Sequence, residues 1–339
     1  MNDEASYQGA AGPIILTPGD PAGIGAEISL KAHAAGVRDF LLMEDPDRMA
    51  TLATQLGLDI RMHIVDRPQD EMSPSRDGLG IVPLSWPEPP VAGTGDPRNG
   101  AVVIEAVRAA ASWAREGTAA AVVTNPVNKA VLKAAGFAHP GHTEFLASMS
   151  PARPGSPVMM LAGEGLRVVP ATIHIPLRDV AGHLSATDLI DKGRILDEAL
   201  QRYFGCARPR IAFCGINPHA GEDGQFGDED QRIVAPAVAA LRADGIDATG
   251  PHSADTLFHP AARERYDAVI GMYHDQVLIP LKTIDFDGGV NVTLGLDFIR
   301  TSPDHGTAFD IAGTGVARPD SLIAAIRMAR QMASQDSHG

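Results

Sequence analysis

MYHDQVLIPLK (272–282), GVNVTLGLDFIR (289–300) and TSPDHGTAFDIAGTG (301–315) make one nearly continuous stretch late in a chain of 339 residues. It opens where the apolar run DAVIGMY (267–273) gives way to His274, and it goes on to carry Lys282, Asn291, Arg300 and a glycine-rich loop headed by His305. A short apolar run that ends abruptly in polar residues reads as a buried strand delivering its last side chains to the edge of a sheet. A metal ligand, cationic and amide groups for an anion, and a loop open to a nucleotide thus follow one another, as the floor of an active site requires.

Outward from that stretch the same alternation fills the chain. PIILT (13–17) reads as a strand, followed by a Gly/Pro-rich turn at 17–25 and a helix ending near Gly36. FLLM (40–43), MHIV (62–65) and GIVPL (80–84) read as further strands, and 87–97 as a loop. Val102, Val103, Ala106, Val107, Ala110 and Ala111 share one face of a helix over 99–116, ahead of the strand AAAVV and the turn TNPVNK (124–129). VMMLA (158–162) and RVVPATIHI (167–175) read as neighbouring strands, RIAFCGINP (210–218) and VNVTLGLDF (290–298) as two more. Helices are expected over 186–204, 230–243 and 321–332. No repeat appears. Strands and helices in alternation predict an α/β protein with largely parallel sheets. The turn at 17–25 offers backbone N–H groups at a helix start, suiting an anion or only a tight connection, and it is not the dinucleotide fingerprint G-x-G-x-x-G.

Composition narrows the function classes. Lys and Arg number 28 against 42 Asp and Glu, a formal charge of −14, which argues against nucleic acid or an anionic membrane as a partner. Hydrophobic residues make up 44% and charged residues 21%, yet no run approaches the roughly 18 apolar residues of a membrane span. The acidic start MNDEAS lacks the features of a signal peptide, so a cytoplasmic protein is expected. Cys206 and Cys214 have neither zinc-site nor disulfide-framework spacing and read as structural thiols.

Three histidines share a context: His174 ends RVVPATIH, His219 follows RIAFCGINP, and His274 follows DAVIGMY. Carboxyl ends of parallel strands converge on one crevice, so the three could meet, although a histidine after a strand is ordinarily a hydrogen-bonded loop residue. Three imidazoles would suit a catalytic divalent ion because they leave coordination positions open. Asp255 and Asp275 are candidate partners for the ligand rings, or solvent-facing carboxylates. Lys282, Arg300 and Asn291, with His142 and Thr143 at the helix start of PGHTEFL, could together answer a phosphate and a carboxylate on one small molecule. Singly, each is a surface charge or a cap. In the loop, Asp310 could accept hydrogen bonds from a ribose diol and repel a 2′-phosphate, favouring NAD over NADP.

TPGDPAGIGAE, TNPVNK, PGHTEFL, ATIHIPLRDV, CGINPHAGE, SADTLF, MYHDQ and GVNVTLGLDFIRTSPDHGTAFDIAG, in this order from 14 to about 332, together resemble the 4-hydroxythreonine-4-phosphate dehydrogenase family of pyridoxal phosphate biosynthesis. The resemblance implies an isocitrate/isopropylmalate dehydrogenase-like fold of two α/β/α domains with a central cleft, one of 1–126 plus 290–339, the other of 127–289. It implies that the adenosine end of the cofactor lies on HGTAFDIAGTGVARP (305–319), with His305, Gly306 and Asp310 on the cofactor. It also implies metal ligands at His174, His219 and His274, substrate contacts at His142, Thr143, Lys282, Asn291 and Arg300, and a homodimer sharing the metal site between subunits. The cofactors implied are NAD or NADP and one divalent ion (Zn²⁺, Mg²⁺ or Co²⁺). The implied reaction oxidises 4-phosphohydroxy-L-threonine at C3 and decarboxylates the product to 3-amino-2-oxopropyl phosphate. Lys129, just past the TNP turn, is the candidate base, with a helix-surface lysine as its alternative reading. Two other activities fit the same motifs less closely: a dehydrogenase of another diol, such as a four-carbon sugar-acid phosphate or an aromatic cis-dihydrodiol carboxylate, and a phosphate acyltransferase.

Overall fold

The computed structural model describes residues 12–71, 78–139, 141–150 and 157–336, with the backbone alone at 142 and 143. Its strands are β1 (Ile14–Thr17), β2 (Phe40–Glu44), β3 (Met62–Ile64), β4 (Leu79–Pro83), β5 (Ala121–Thr124) and β6 (Val158–Gly163). They continue with β7 (Leu166–Thr172), β8 (Arg210–Cys214), β9 (Asp247–His252), β10 (Ala268–Tyr273), β11 (Val290–Leu294) and β12 (Arg300–Pro303). Two compact units result, one from the segments up to Pro157 and from Leu296 onward, the other from Val158–Gly295.

The first unit orders its strands β3-β4-β2-β1-β5-β12, each neighbouring pair parallel. Parallel sheets are covered on both faces and so read as unbroken apolar runs; IILT of β1 is buried at every position. The long helix Pro97–Arg115 covers the sheet with Val103, Ala106, Val107, Ala110 and Ala111, a stripe at helical spacing. Its start is fixed by Asp96, whose carboxylate accepts from Arg98 N at 2.9 Å, and by Pro97 in the first turn. Phe145, Leu146 and Met149 join that helix, Phe298 and Leu296 in one core. The described residues of 127–157 thus group with the first unit and 290–295 with the second, where the sequence reading had placed each the other way.

The second unit orders its strands β11-β6-β7-β10-β8-β9. β7, β10, β8 and β9 run parallel, but β6 is antiparallel to both β7 and β11. Only Glu164 and Gly165 separate β6 from β7, with Gly165 at φ +69°, and so short a link admits a hairpin but no crossover helix. The helix Ala186–Phe204 starts on Ser185, whose hydroxyl accepts from Asp188 N, and ends on left-handed Gly205. Leu161, Val168, Val269, Val277 and Leu281 build the core beneath the histidine-bearing loops. No helix among the described residues is long and apolar enough to cross a membrane.

Candidate active site

In the second unit the register of two neighbouring strands decides which histidines meet. β7 and β10 are parallel with Thr172 opposite Tyr273, and Thr172 Oγ1 donates to Met272 O at 2.7 Å to lock the strand ends. His274 is the next residue after that pair and His174 lies two beyond it, so their rings come together with centroids 5.8 Å apart and planes tilted by 41°. His274 Nδ1 donates to Asp275 Oδ1 at 2.7 Å, which fixes the ring and turns Nε2 to the opposite side.

His219 is placed differently. Its strand β8 ends at Cys214, and the chain then enters a left-handed helical turn in which His219, Ala220, Gly221, Glu222 and Asp223 all have positive φ, from 41° to 82°. Four of these are not glycine, and left-handed backbone costs roughly 1–2 kcal/mol for each such residue. The His219 ring lies 6.2 Å from that of Phe226. Among the described residues no group of three or more His, Cys, Asp or Glu side chains stands close enough to hold a metal, so His219 does not complete a site with His174 and His274 within one chain. The donor chemistry of the pair itself fits a divalent ion: two neighbouring imidazoles, one oriented by a carboxylate.

Of the other second-unit candidates, Asp255 and Asp275 are exposed and Lys282 and Asn291 half-buried. Asp255 lies in the turn Ala254–Thr256 and takes a 2.6 Å hydrogen bond from Ser253 Oγ. Asp275 is largely solvent-facing beyond its contact with His274. Lys282 sits in the last turn of the helix His274–Ile284, its ammonium 5.7 Å from the centroid of the Phe286 ring. Asn291 lies on β11 opposite Leu161.

In the first unit three loops at the carboxyl end of the sheet close on one another. Asp20 N donates to Pro126 O at 2.9 Å, and Ile24 N donates to Thr307 O at 3.1 Å. A side chain at Gly19 would strike Pro126 O at 2.6 Å, and one at Gly23 would strike Thr307 O at 2.9 Å, so both glycines are needed for contact. The turn at 17–25 is therefore the support on which TNP and the loop 305–315 rest. Asn125 Nδ2 donates to Thr17 O and Ser29 Oγ beneath it, and burial raises the Asp20 carboxyl above the usual range. The far end of the glycine-rich loop is tied down by Lys31, which donates to Gly315 O and Ala317 O at 2.7 Å and pairs with Glu27.

Beside this loop opens a cavity of about 270 Å³, its walls including Gly23, Glu27, Arg48, Thr51, Gln55 and Gly313. Its position against the loop fits the heteroaromatic end of a nucleotide. Both charged groups in its wall are paired: Arg48 donates to Glu44 and to Pro21 O, and Glu27 accepts from Lys31 and Ala317 N. His305 and Asp310 are exposed on the loop, the former donating from Nδ1 to Gly306 O at 3.1 Å. A side chain at Gly306 would meet only open space.

Arg300, on β12, is 6% exposed and donates from Nη2 to Thr124 Oγ1 at 2.6 Å. Burial pulls its guanidinium down to about 10, because the buried site solvates the charge poorly. Lys129 is exposed as the first residue of the helix Lys129–Ala134, which Asn128 caps through Ala130 N and Val131 N. His142 and Thr143 begin the helix His142–Ser148, and their side chains lie outside the described residues.

Sequence reasoning missed the left-handed turn at 219–223, the support given by 17–25 and the pairing of the cavity-wall Arg48 with Glu44. A strand-end histidine is visible as a pattern, whereas a reversal of backbone hand at Ala220, Glu222 and Asp223 has no residue-type signature.

A family model described as pyridoxal phosphate biosynthetic protein PdxA matches residues 37–329. The chain belongs to this family. A 4-hydroxythreonine-4-phosphate dehydrogenase from Xanthobacter autotrophicus is 51% identical over 336 residues, covering 97% of this chain and 95% of its own. Among solved structures, the 4-hydroxythreonine-4-phosphate dehydrogenase of Klebsiella pneumoniae has 42% identity and a TM-score of 0.87, covering 95% of this chain and 99% of its own. A terephthalate 1,2-cis-dihydrodioldehydrogenase from Burkholderia xenovorans LB400 is more distant, with 33% identity, a TM-score of 0.64 and coverages of 94% and 98%. The α/β fold and the oxidoreductase class expected from sequence are those of the PdxA family.

Proposed function

We infer that this PdxA-family chain oxidises 4-phosphohydroxy-L-threonine at C3 with NAD and decarboxylates the product to 3-amino-2-oxopropyl phosphate. The observation that carries this reading is the pairing of His174 and His274 at the ends of adjoining parallel strands, in a chain half identical to proteins named for that reaction. His174, His219 and His274 would hold a divalent ion, with the set completed between two copies of the chain. Such an ion, when bound, acidifies a coordinated hydroxyl and polarises a carbonyl beside it. A nicotinamide bound to this chain would supply the acceptor for the C3 hydride. Asp275 keeps the His274 ring turned outward for its ligand. Arg300 supplies a poorly solvated cation for the substrate's anionic end, with Lys282, Asn291, His142 and Thr143 as further contacts. Loss of the C3 hydroxyl proton and hydride is followed by loss of CO₂, and one proton returns to carbon, so atoms balance over the two steps. Lys129 is the side chain assigned to the hydroxyl proton.

The cavity beside Gly313 takes the adenosine end, and Asp310 at the loop favours a free 2′-hydroxyl, hence NAD over NADP. Leu177, Ile279 and Phe286 in the second unit are 70%, 63% and 74% exposed, apolar surface that a homodimer would cover.

The test is direct. Chelator-stripped protein is mixed with 4-phosphohydroxy-L-threonine and NAD⁺, with and without Zn²⁺, Mg²⁺ or Co²⁺, while reduced cofactor and CO₂ are followed. Metal-dependent appearance of both supports the reading. Reduction only with an aromatic cis-dihydrodiol carboxylate or a four-carbon sugar-acid phosphate would move the chain to another diol, an outcome given weight by the 33% identical dihydrodiol dehydrogenase. Acyl transfer to phosphate without NAD would remove the dehydrogenase reading.

A further inference from the structure

The left-handed turn that carries His219 is held from behind by a carboxylate with no place in the chemistry above. Asp230 is 0% exposed and begins the π-helical turn Asp230–Val234, an irregularity that helices keep where a side chain must be re-aimed. Its Oδ1 accepts from Ile216 N at 2.8 Å and its Oδ2 from Asn217 N at 3.1 Å, so both oxygens hold the segment entering the turn. Among the described residues no lysine or arginine pairs with it. Asn217 is held a second time, its Nδ2 donating to Glu229 Oε2 at 2.8 Å. From the other side Gln276 donates to Gly215 O and accepts from Met272 N, both at 2.7 Å, which ties the root of the turn to the strand end bearing His274.

A left-handed turn of mostly non-glycine residues does not persist unless its surroundings over-determine it. Here the over-determination converges on two backbone amides and one buried carboxylate. The geometry points to Asp230, seconded by the Asn217–Glu229 contact, as the positioning group that aims His219 for metal binding. It touches neither substrate nor metal; it acts through the turn. The assignment rests on the reading of His219 as a ligand.

The experiment measures Co²⁺ binding to the chelator-stripped full-length protein by calorimetry and by cobalt absorption, for wild type, His219→Ala and Asp230→Asn. Asp230→Asn keeps the shape but replaces one acceptor oxygen with a donor facing an N–H. It is expected to weaken Co²⁺ by about 10–100-fold, the usual effect of losing a group that orients a ligand. Its NAD⁺ affinity and cooperative thermal melt should be retained, and turnover should recover as Co²⁺ is raised, which general damage to the fold would not allow. Unchanged Co²⁺ affinity in Asp230→Asn, with loss of binding in His219→Ala, would overturn the positioning role alone. Wild-type affinity in His219→Ala would overturn the ligand reading and this role with it. Should Asp230→Asn not fold, Asn217→Ala removes only the contact to Glu229; a smaller loss in the same direction supports the role, and no loss refutes it.

Discussion

His33 offers a prediction whose size follows from the structure. Its side chain is 5% exposed in the helix Gly25–Ala34, its ring edge-on to Phe40 with centroids 6.4 Å apart. Burial, with a smaller push from the Arg38 guanidinium, lowers its titration from an ordinary 6.5 to about 4. The folded state therefore keeps His33 neutral where the unfolded chain would protonate it. The stability contributed is whole above 6.5 and is lost as pH falls toward 4. Between about pH 7.5 and about pH 5 linkage gives a loss of about 2 kcal/mol, an upper figure because solvent screens part of the shift. The buried carboxyls of Asp20 and Glu44 and the half-buried one of Asp39 are raised and change in the opposite sense, gaining stability as pH falls. Comparison with His33→Gln cancels them. Both tryptophans, Trp86 and Trp113, lie in the first unit, so their fluorescence follows the unfolding of the unit that contains His33. With a urea slope near 2 kcal/mol/M, the wild-type midpoint should fall by about 1 M more than that of His33→Gln over this pH range. Equal shifts in the two proteins would refute the assignment of a neutral buried imidazole.

Other consequences can be checked singly. Gly23→Ala would place a methyl 2.9 Å from Thr307 O and push the glycine-rich loop off its support; NAD⁺ affinity by calorimetry should fall about tenfold, as overpacking by 1–3 kcal/mol implies. Thr124→Val removes the 2.6 Å acceptor of the buried Arg300, so KM for the phosphorylated substrate should rise about tenfold, while an unchanged KM would detach Arg300 from substrate binding. Phe286→Ser, at a 74% exposed site, should shift sedimentation toward monomer if the apolar face is a subunit contact; an unaltered distribution would clear that face of the role.

What was legible in the sequence was whatever depends on period and on position along a strand. The apolar runs of β1, β2 and β5 announced a parallel sheet because both faces are covered. His174 and His274 were legible for a related reason: each stands within two residues of a registered pair on neighbouring strands, so naming the strands places the rings. The antiparallel entry of β6 was written in its two-residue link to β7, a length that decides strand direction, yet the apolar pattern of the two strands is the same in either direction. The reach of Phe145, Leu146 and Met149 into the first core was not legible, since a short apolar helix carries no label for the unit it joins.

His219 shows where position along a strand stops being informative. β8 is as much a neighbour of β10 as β7 is, so by strand order alone its histidine should have met the other two. Four residues separate it from Cys214, and at His219 itself the backbone changes hand, which sends the side chain along a direction that the strand does not set. Part-buried hydrogen bonds set it instead, from Asp230, Asn217 and Gln276, residues whose types suggest a cap or a surface contact when read in sequence. The two histidines fixed by the sheet need little further support, whereas the one fixed by strain needs a fully satisfied polar brace. Substitutions behind the turn should therefore disturb metal binding more than equally conservative substitutions behind His174, where Thr172 and Met272 are held by the sheet itself.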